Sequence, residues 1–141
     1  IDCFTTDHAP HTADEKSKPF TDAPFGIVGL ETALALTITY LVAPGHLTLA
    51  RAIELWTDAP RRLFRLPEVT LEPGSQADLV LFDPHAEWIV DPNVFRTLGR
   101  STPFTGWKLQ GKVLATMLEG RFTHVAEGVE FARPVHSGAA R

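Results

Sequence analysis

The 141 residues carry a formal charge of −4 and are 44% hydrophobic and 21% charged, the balance of an ordinary globular protein. Nucleic acid and anionic membrane surfaces call for clustered Lys and Arg, which this composition lacks, so neither is an expected partner. A single cysteine, Cys3, excludes an internal disulfide and suits a reducing, cytoplasmic setting.

The first predicted element is a short strand from Ile1 to Thr6. Ile1, Cys3, Phe4 and Thr5 favour extended backbone, and His8-Ala9-Pro10 stops it. Cys3 reads as a small buried apolar residue. Asp7 then stands at the C-terminal end of the strand, where parallel α/β barrels build their chemistry. That makes it a candidate for acid–base or metal work. Taken alone, an Asp-His pair more often caps a turn, with its histidines solvated.

The loop from His8 to Phe25 is longer than most strand-to-helix connections, and such loops are usually functional or disordered. Lys16, Lys18, Pro19 and Asp22 read as solvated and mobile. Phe20 and Phe25 could close over a ligand, so the segment 8–26 is expected to cover a substrate.

The run Ile27 to Ala43 is predicted helical and ended by Pro44-Gly45. Its apolar residues wrap most of the way round, which calls for burial on several sides. Glu31, Thr32, Thr37 and Thr39 interrupt it, and it is shorter than the ~20 residues of a membrane span. Gly26 and Gly29 at its start permit close backbone approach and leave N–H groups to meet an anionic or carbonyl oxygen. Thr48 is a good N-cap for a second helix to about Thr57, with Ala50, Ile53 and Leu55 inward. Pro60 suits the first turn of a short helix, Arg61 to Phe64. Arg61, Arg62 and Arg65 read as a solvated face with a local salt bridge, and nothing further supports a phosphate site there.

From Leu66 the texture changes to short strands between turns: 77–83, 87–90, 107–112 and 113–119, with Gly120 and 121–123 closing a hairpin. This pattern marks a small β-sandwich unit. His85 and His124 each stand alone and read as surface residues. The small, polar tail, 132–141, is expected to be disordered. The domain reading is therefore 1–65, 66–131 and the tail.

Several strings carry a more specific signal when taken in order. They are Thr6-Asp7-His8-Ala9-Pro10-His11, Glu15-Lys16, the run from Ala23 to Thr32, Ala59-Pro60, Gly74-Ser75-Gln76-Ala77-Asp78-Leu79 and Thr102-Pro103-Phe104. Together they closely resemble the last barrel strand and following segments of bacterial class I dihydroorotases, members of the amidohydrolase superfamily, over roughly residues 1 to 122.

The resemblance implies an α/β fold: the last strand and helices of an amidohydrolase-type TIM barrel, followed by the small β-sandwich segment. It implies the zinc-dependent interconversion of dihydroorotate and N-carbamoyl-aspartate in pyrimidine biosynthesis. Carried over residue by residue, Asp7 is metal ligand and general acid/base, and His11 binds the substrate carboxylate. Phe25 and Gly26 offer backbone contacts to substrate, and no role comes with the resemblance for His8. The implied partners are the small-molecule substrate, a second copy in a homodimer and aspartate transcarbamoylase.

The family's His-x-His pair, its remaining metal ligands and its substrate-holding Arg and Asn have no counterpart in these residues. A chain without an initiator Met that begins within a strand is thus expected to be part of a longer protein, and inactive alone. Two other functions stay open. A hydantoinase or allantoinase usually lacks the histidine matched by His11. A non-catalytic homologue serving as a structural partner of aspartate transcarbamoylase would have lost metal ligands.

Overall fold

Alternation of side chains along 79–89 and 108–118 builds two long strands, β1 (Leu79–Ile89) and β2 (Lys108–Leu118), and β2 folds back into β3 (Arg121–Val125). In the computed structural model, which describes residues 1–131, they form one antiparallel sheet in the order β1-β2-β3. The register pairs Leu79 with Met117 and Ile89 with Lys108 across β1–β2, and Leu118 with Arg121 across the hairpin. Glu119 and Gly120 both take positive φ, 51° and 74°. That left-handed pair suits a tight hairpin because its twist matches that of the strands. The tail, 132–141, lies outside the described residues.

Each long strand was expected as two pieces, and the break at Pro84 explains why it is one. Asp83 Oδ1 accepts the N–H groups of His85 at 2.8 Å and Ala86 at 3.2 Å, closing a local turn inside β1. The register shifts there, between Asp83 and Glu87. A proline is tolerated at such an irregularity because no ladder hydrogen bond is asked of it. Gly111 lies opposite on β2 with φ 94°, and a Cβ there would stand 2.6 Å from Ile38 Cδ1. Its lack of a side chain lets β2 lie directly on the helical segment.

That segment differs from the expected 27–43 helix. Helix begins only at α2 (Ala33–Thr37) and runs on into a π-helical turn, Ile38–Val42, closed by Ala43 N–H to Ile38 O at 2.8 Å. Residues 27–32 spend their hydrogen bonds elsewhere. Val28 N–H goes to Ser101 O at 2.9 Å, and Gly29 N–H goes to the His8 ring. The π turn widens where the helix meets the sheet, and there Thr39 Oγ1 accepts Gln110 N–H at 2.8 Å. Thr37 is buried without penalty, because its hydroxyl donates to Ala33 O at 2.9 Å and accepts Trp56 Nε1–H at 3.0 Å.

Helix α3 (Leu49–Trp56) starts at the expected Thr48 cap, whose hydroxyl accepts Arg51 N–H at 3.1 Å. Its buried residues are Ala52 and Leu55, whereas Ala50 and Ile53 face solvent. Helix α4 (Asp58–Phe64) ends on Arg65 in the left-handed region, and Arg62 pairs with Glu54 at 2.6 Å, the local salt bridge expected for this arginine-rich stretch. Residues 1–6, expected as a strand, form neither strand nor helix and join no sheet among the described residues. Phe4 N–H donates instead to Leu55 O at 2.9 Å, and its ring lies 5.3 Å from that of Trp56. The core gathers Val28, Ala35, Val90, Phe95 and Leu109, with Leu36, Trp88 and Phe104 packed on it. Among the described residues no helix is long and apolar enough to cross a membrane.

Candidate functional site

The chain turns at Asp7. Asp7 takes φ 45°, a left-handed conformation that Asp tolerates better than most side chains, and its side chain is exposed. The next residues tie this tip to the 26–30 turn. His8 forms a parallel bridge with Ile27, and Ala9 N–H donates to Ile27 O at 3.0 Å. His8 Nδ1 accepts the N–H groups of Gly29 at 3.1 Å and Leu30 at 3.4 Å. An accepting Nδ1 puts the proton of the neutral ring on Nε2. Gly29 can come this close only without a side chain, since a Cβ would meet Thr6 O at 2.9 Å.

The structure brings His11 and Gly26 together. A Cβ on Gly26 would stand 3.2 Å from His11 Cδ2, and only 2.6 Å from Ala9 O. Gly26 also takes φ 123°, which side-chain-bearing residues rarely adopt. Gly26→Ala is therefore expected to destabilise by about 1–3 kcal/mol, the scale of an imposed backbone strain. It should be read as a lowered denaturation midpoint, and an unchanged midpoint would mean that the loop shifts freely. Phe25 turns its ring outward, 94% exposed. The N–H groups of Phe25 and Gly26 have no acceptor among the described residues.

The loop after His11 has its own structure. Thr12 caps α1 (Ala13–Lys16) in a capping box: its hydroxyl accepts Glu15 N–H at 3.2 Å, and Glu15 Oε2 accepts Thr12 N–H at 2.9 Å. These bonds from the Thr12 backbone and hydroxyl, with a smaller contribution from His11, hold the Glu15 carboxyl below its ordinary range. His11 Nδ1 lies 3.6 Å from Glu15 Oε2. Lys16, expected to be solvated, is partly buried, and its Nζ donates to Pro24 O at 2.9 Å and Gly26 O at 3.0 Å. Lys18, Pro19 and Asp22 are exposed as expected.

Two clefts lie elsewhere. One of about 380 Å³ is lined by Phe4, Thr6, Ile27, Tyr40 and Trp56, and another of about 810 Å³ by His8, Glu31, Trp88, Arg96 and His124. Asp7, His11, Phe25 and Gly26 line neither. Asp7 enters none of the ion pairs among the described residues, and no group of three or more His, Cys, Asp or Glu there is arranged to hold a metal ion. What Asp7 offers is one exposed carboxylate donor at a turn.

Residues 2–123 match the family described as the amidohydrolase family. The chain belongs to it. A dihydroorotase of Shouchella clausii is 47% identical over 129 residues, covering 92% of this chain and 30% of that protein. A dihydroorotase of Chlorobaculum tepidum is 49% identical over 114 residues, covering 81% of this chain and 26% of its own. In structure, the L-hydantoinase (dihydropyrimidinase) of Arthrobacter aurescens superposes with a TM-score of 0.78 at 35% identity, over 86% of this chain and 28% of that one. The amidohydrolase chain thus spans less than a third of the length of the relatives it matches.

Three residues of this amidohydrolase chain had no assigned role in the sequence. Lys16 and His8 hold the loop ends, and Glu31 accepts the N–H groups of Arg96 at 2.9 Å and Thr97 at 3.0 Å. A signal existed only for Glu31, a lone carboxylate in an otherwise apolar run. The partners of His8 and Lys16 are backbone atoms, which leave no mark in a sequence.

Proposed function

We propose that the whole protein is a dihydroorotase, interconverting L-dihydroorotate and N-carbamoyl-L-aspartate in cytoplasmic pyrimidine biosynthesis. The observation that carries this is the 47% identity to a dihydroorotase over 92% of the chain. In this reading residues 1–65 complete a (β/α) barrel, and 66–131 form part of a flanking β-sandwich. Aspartate transcarbamoylase, whose product is N-carbamoyl-aspartate, is the partner the reading implies.

Zinc is the metal we assign. Its centre takes about four donors, of which Asp7 is one and the others lie outside the described residues. When bound it serves as a Lewis acid toward the ring amide and toward water. The Asp7 carboxylate accepts the proton of the water that adds to the amide carbonyl. It then returns that proton to the ring nitrogen as the C–N bond breaks. Cyclisation is the same sequence reversed. His11 donates a hydrogen bond to the substrate carboxylate, a charge-assisted contact. The unpaired N–H groups of Phe25 and Gly26 meet the remaining acceptors on the substrate.

The likeness to the L-hydantoinase supports a second reading, a cyclic amidohydrolase for neutral rings. Assaying the whole protein with dihydroorotate and with a hydantoin separates the two. Turnover of dihydroorotate is expected, and hydrolysis of the hydantoin alone would overturn the proposal. His11→Ala is expected to weaken substrate binding by about 1.5–3 kcal/mol, the worth of a hydrogen bond to a charged group. The KM should rise about 10- to 150-fold, with metal content unchanged. Unaltered KM and kcat would return His11 to the role of a plain loop residue.

A further inference from the structure

We infer that Lys16 is a positioning residue, a latch that aims the Phe25 N–H toward the substrate. For what the N–H faces, the inference rests on the dihydroorotase reading; the latch itself rests on geometry. Between α1 and Gly26 the chain makes an arch whose internal bonds are short-range, Asp22 N–H to Pro19 O at 2.8 Å and Ala23 N–H to Pro19 O at 2.9 Å. Apolar burial does not hold it, because Phe20 and Phe25 are 95% and 94% exposed. Lys16 does, with Nζ at 2.9 Å from Pro24 O and 3.0 Å from Gly26 O, on the two sides of Phe25. Lys16 is in turn fixed as the last residue of α1, whose capping box sets its start.

The direction of the Phe25 N–H follows from peptide geometry. The Pro24–Phe25 peptide is trans, like every other among the described residues. In a planar trans peptide the C=O and N–H point in opposite directions. With Pro24 O held against the ammonium, the Phe25 N–H must point away from Lys16. Lys16 enters none of the ion pairs among the described residues, so its charge is spent on these carbonyls rather than neutralised by a carboxylate. Hydrogen bonds from an ionised donor are about twice as strong as neutral ones. The latch is therefore a firm one for so exposed a loop.

The test compares wild type, Lys16→Met and Lys16→Arg in the whole protein, with two readouts. Met keeps the aliphatic stem and removes every donor, and Arg restores donors in a different fork. The first readout is chymotrypsin cleavage after Phe20 under native conditions without substrate. The second is KM and kcat for dihydroorotate. Losing a charge-assisted hydrogen bond corresponds to roughly a tenfold effect. Lys16→Met should accordingly be cut about tenfold faster and show KM raised about tenfold, with kcat little changed. Lys16→Arg should recover most of both. Cleavage unchanged in Lys16→Met overturns the latch. Faster cleavage with unchanged KM overturns the positioning role, as does an Arg variant that behaves like Met. A wild-type protein that leaves dihydroorotate untouched overturns the functional reading instead, while the substrate-free cleavage comparison still decides the latch.

Discussion

Asp7→Asn in the whole protein is expected to lower turnover by at least about 10²–10⁴-fold, the usual contribution of a general acid–base group, while much of the metal is retained. Asparagine is the informative replacement. It matches aspartate in shape and, like it, tolerates the left-handed backbone seen at φ 45°. The backbone at this turn is thus preserved, and the variant loses the negative charge of the carboxylate together with its ability to take and return a proton. Alanine would confound the two, since a plain Cβ disfavours that conformation. The measurement is steady-state turnover alongside elemental metal analysis and a thermal midpoint. Wild-type turnover in a metal-loaded, stably folded Asp7→Asn protein would sink the assignment.

Local signals in this chain were legible and non-local ones were not. Helix α3 could be read from Thr48, because an N-cap acts within its own first turn. The β2–β3 hairpin could be read from Gly120, because a tight turn is equally local. By contrast, residues 27–32 are apolar enough for a helix, yet their hydrogen bonds run to His8 and Ser101, far away in sequence. The inward face of α3 is borne out at Leu55 but not at Ala50 and Ile53, for a related reason. Hydropathy favoured Ile53, but the neighbours that decide burial lie on the side of Ala52 and Leu55. In β1, Pro84 looked like a terminator, and only the Asp83 side chain bonding the next two N–H groups shows how the strand passes it.

The candidate site divides along the same line. Asp7, His11, Phe25 and Gly26 could be named only through resemblance, and of these the structure places His11 beside Gly26. No pattern of residue types could have announced that Lys16 holds two carbonyls, or that His8 Nδ1 collects two amides. Both are contacts between a side chain and backbone across the loop. The sequence suggested a mobile cover over the substrate. The segment 12–26 instead holds a capped helical turn whose last residue, Lys16, ties down the carbonyls of Pro24 and Gly26.

The largest effect on stability is expected at Leu109. It is fully buried, at 0% exposure, near the start of β2, and packs with Val28, Ala35, Val90 and Phe95 where the sheet meets the helical segment. Leu109→Ala removes its side-chain methyl and methylene groups and leaves a cavity that these neighbours can fill only partly. Such substitutions cost about 2–5 kcal/mol, against a margin of roughly 5–15 kcal/mol for a typical domain. A competing explanation would be loss of β-propensity, which spans only about 1 kcal/mol. Leu118 separates the two, because it lies on the same strand yet is 56% exposed. Leu118→Ala loses the same propensity with little burial, and should cost no more than about 1 kcal/mol. Denaturant midpoints of the whole protein should therefore fall sharply for Leu109→Ala and barely for Leu118→Ala. Equal falls would mean that strand propensity, and not the contact between β2 and the helical segment, holds this part of the fold together.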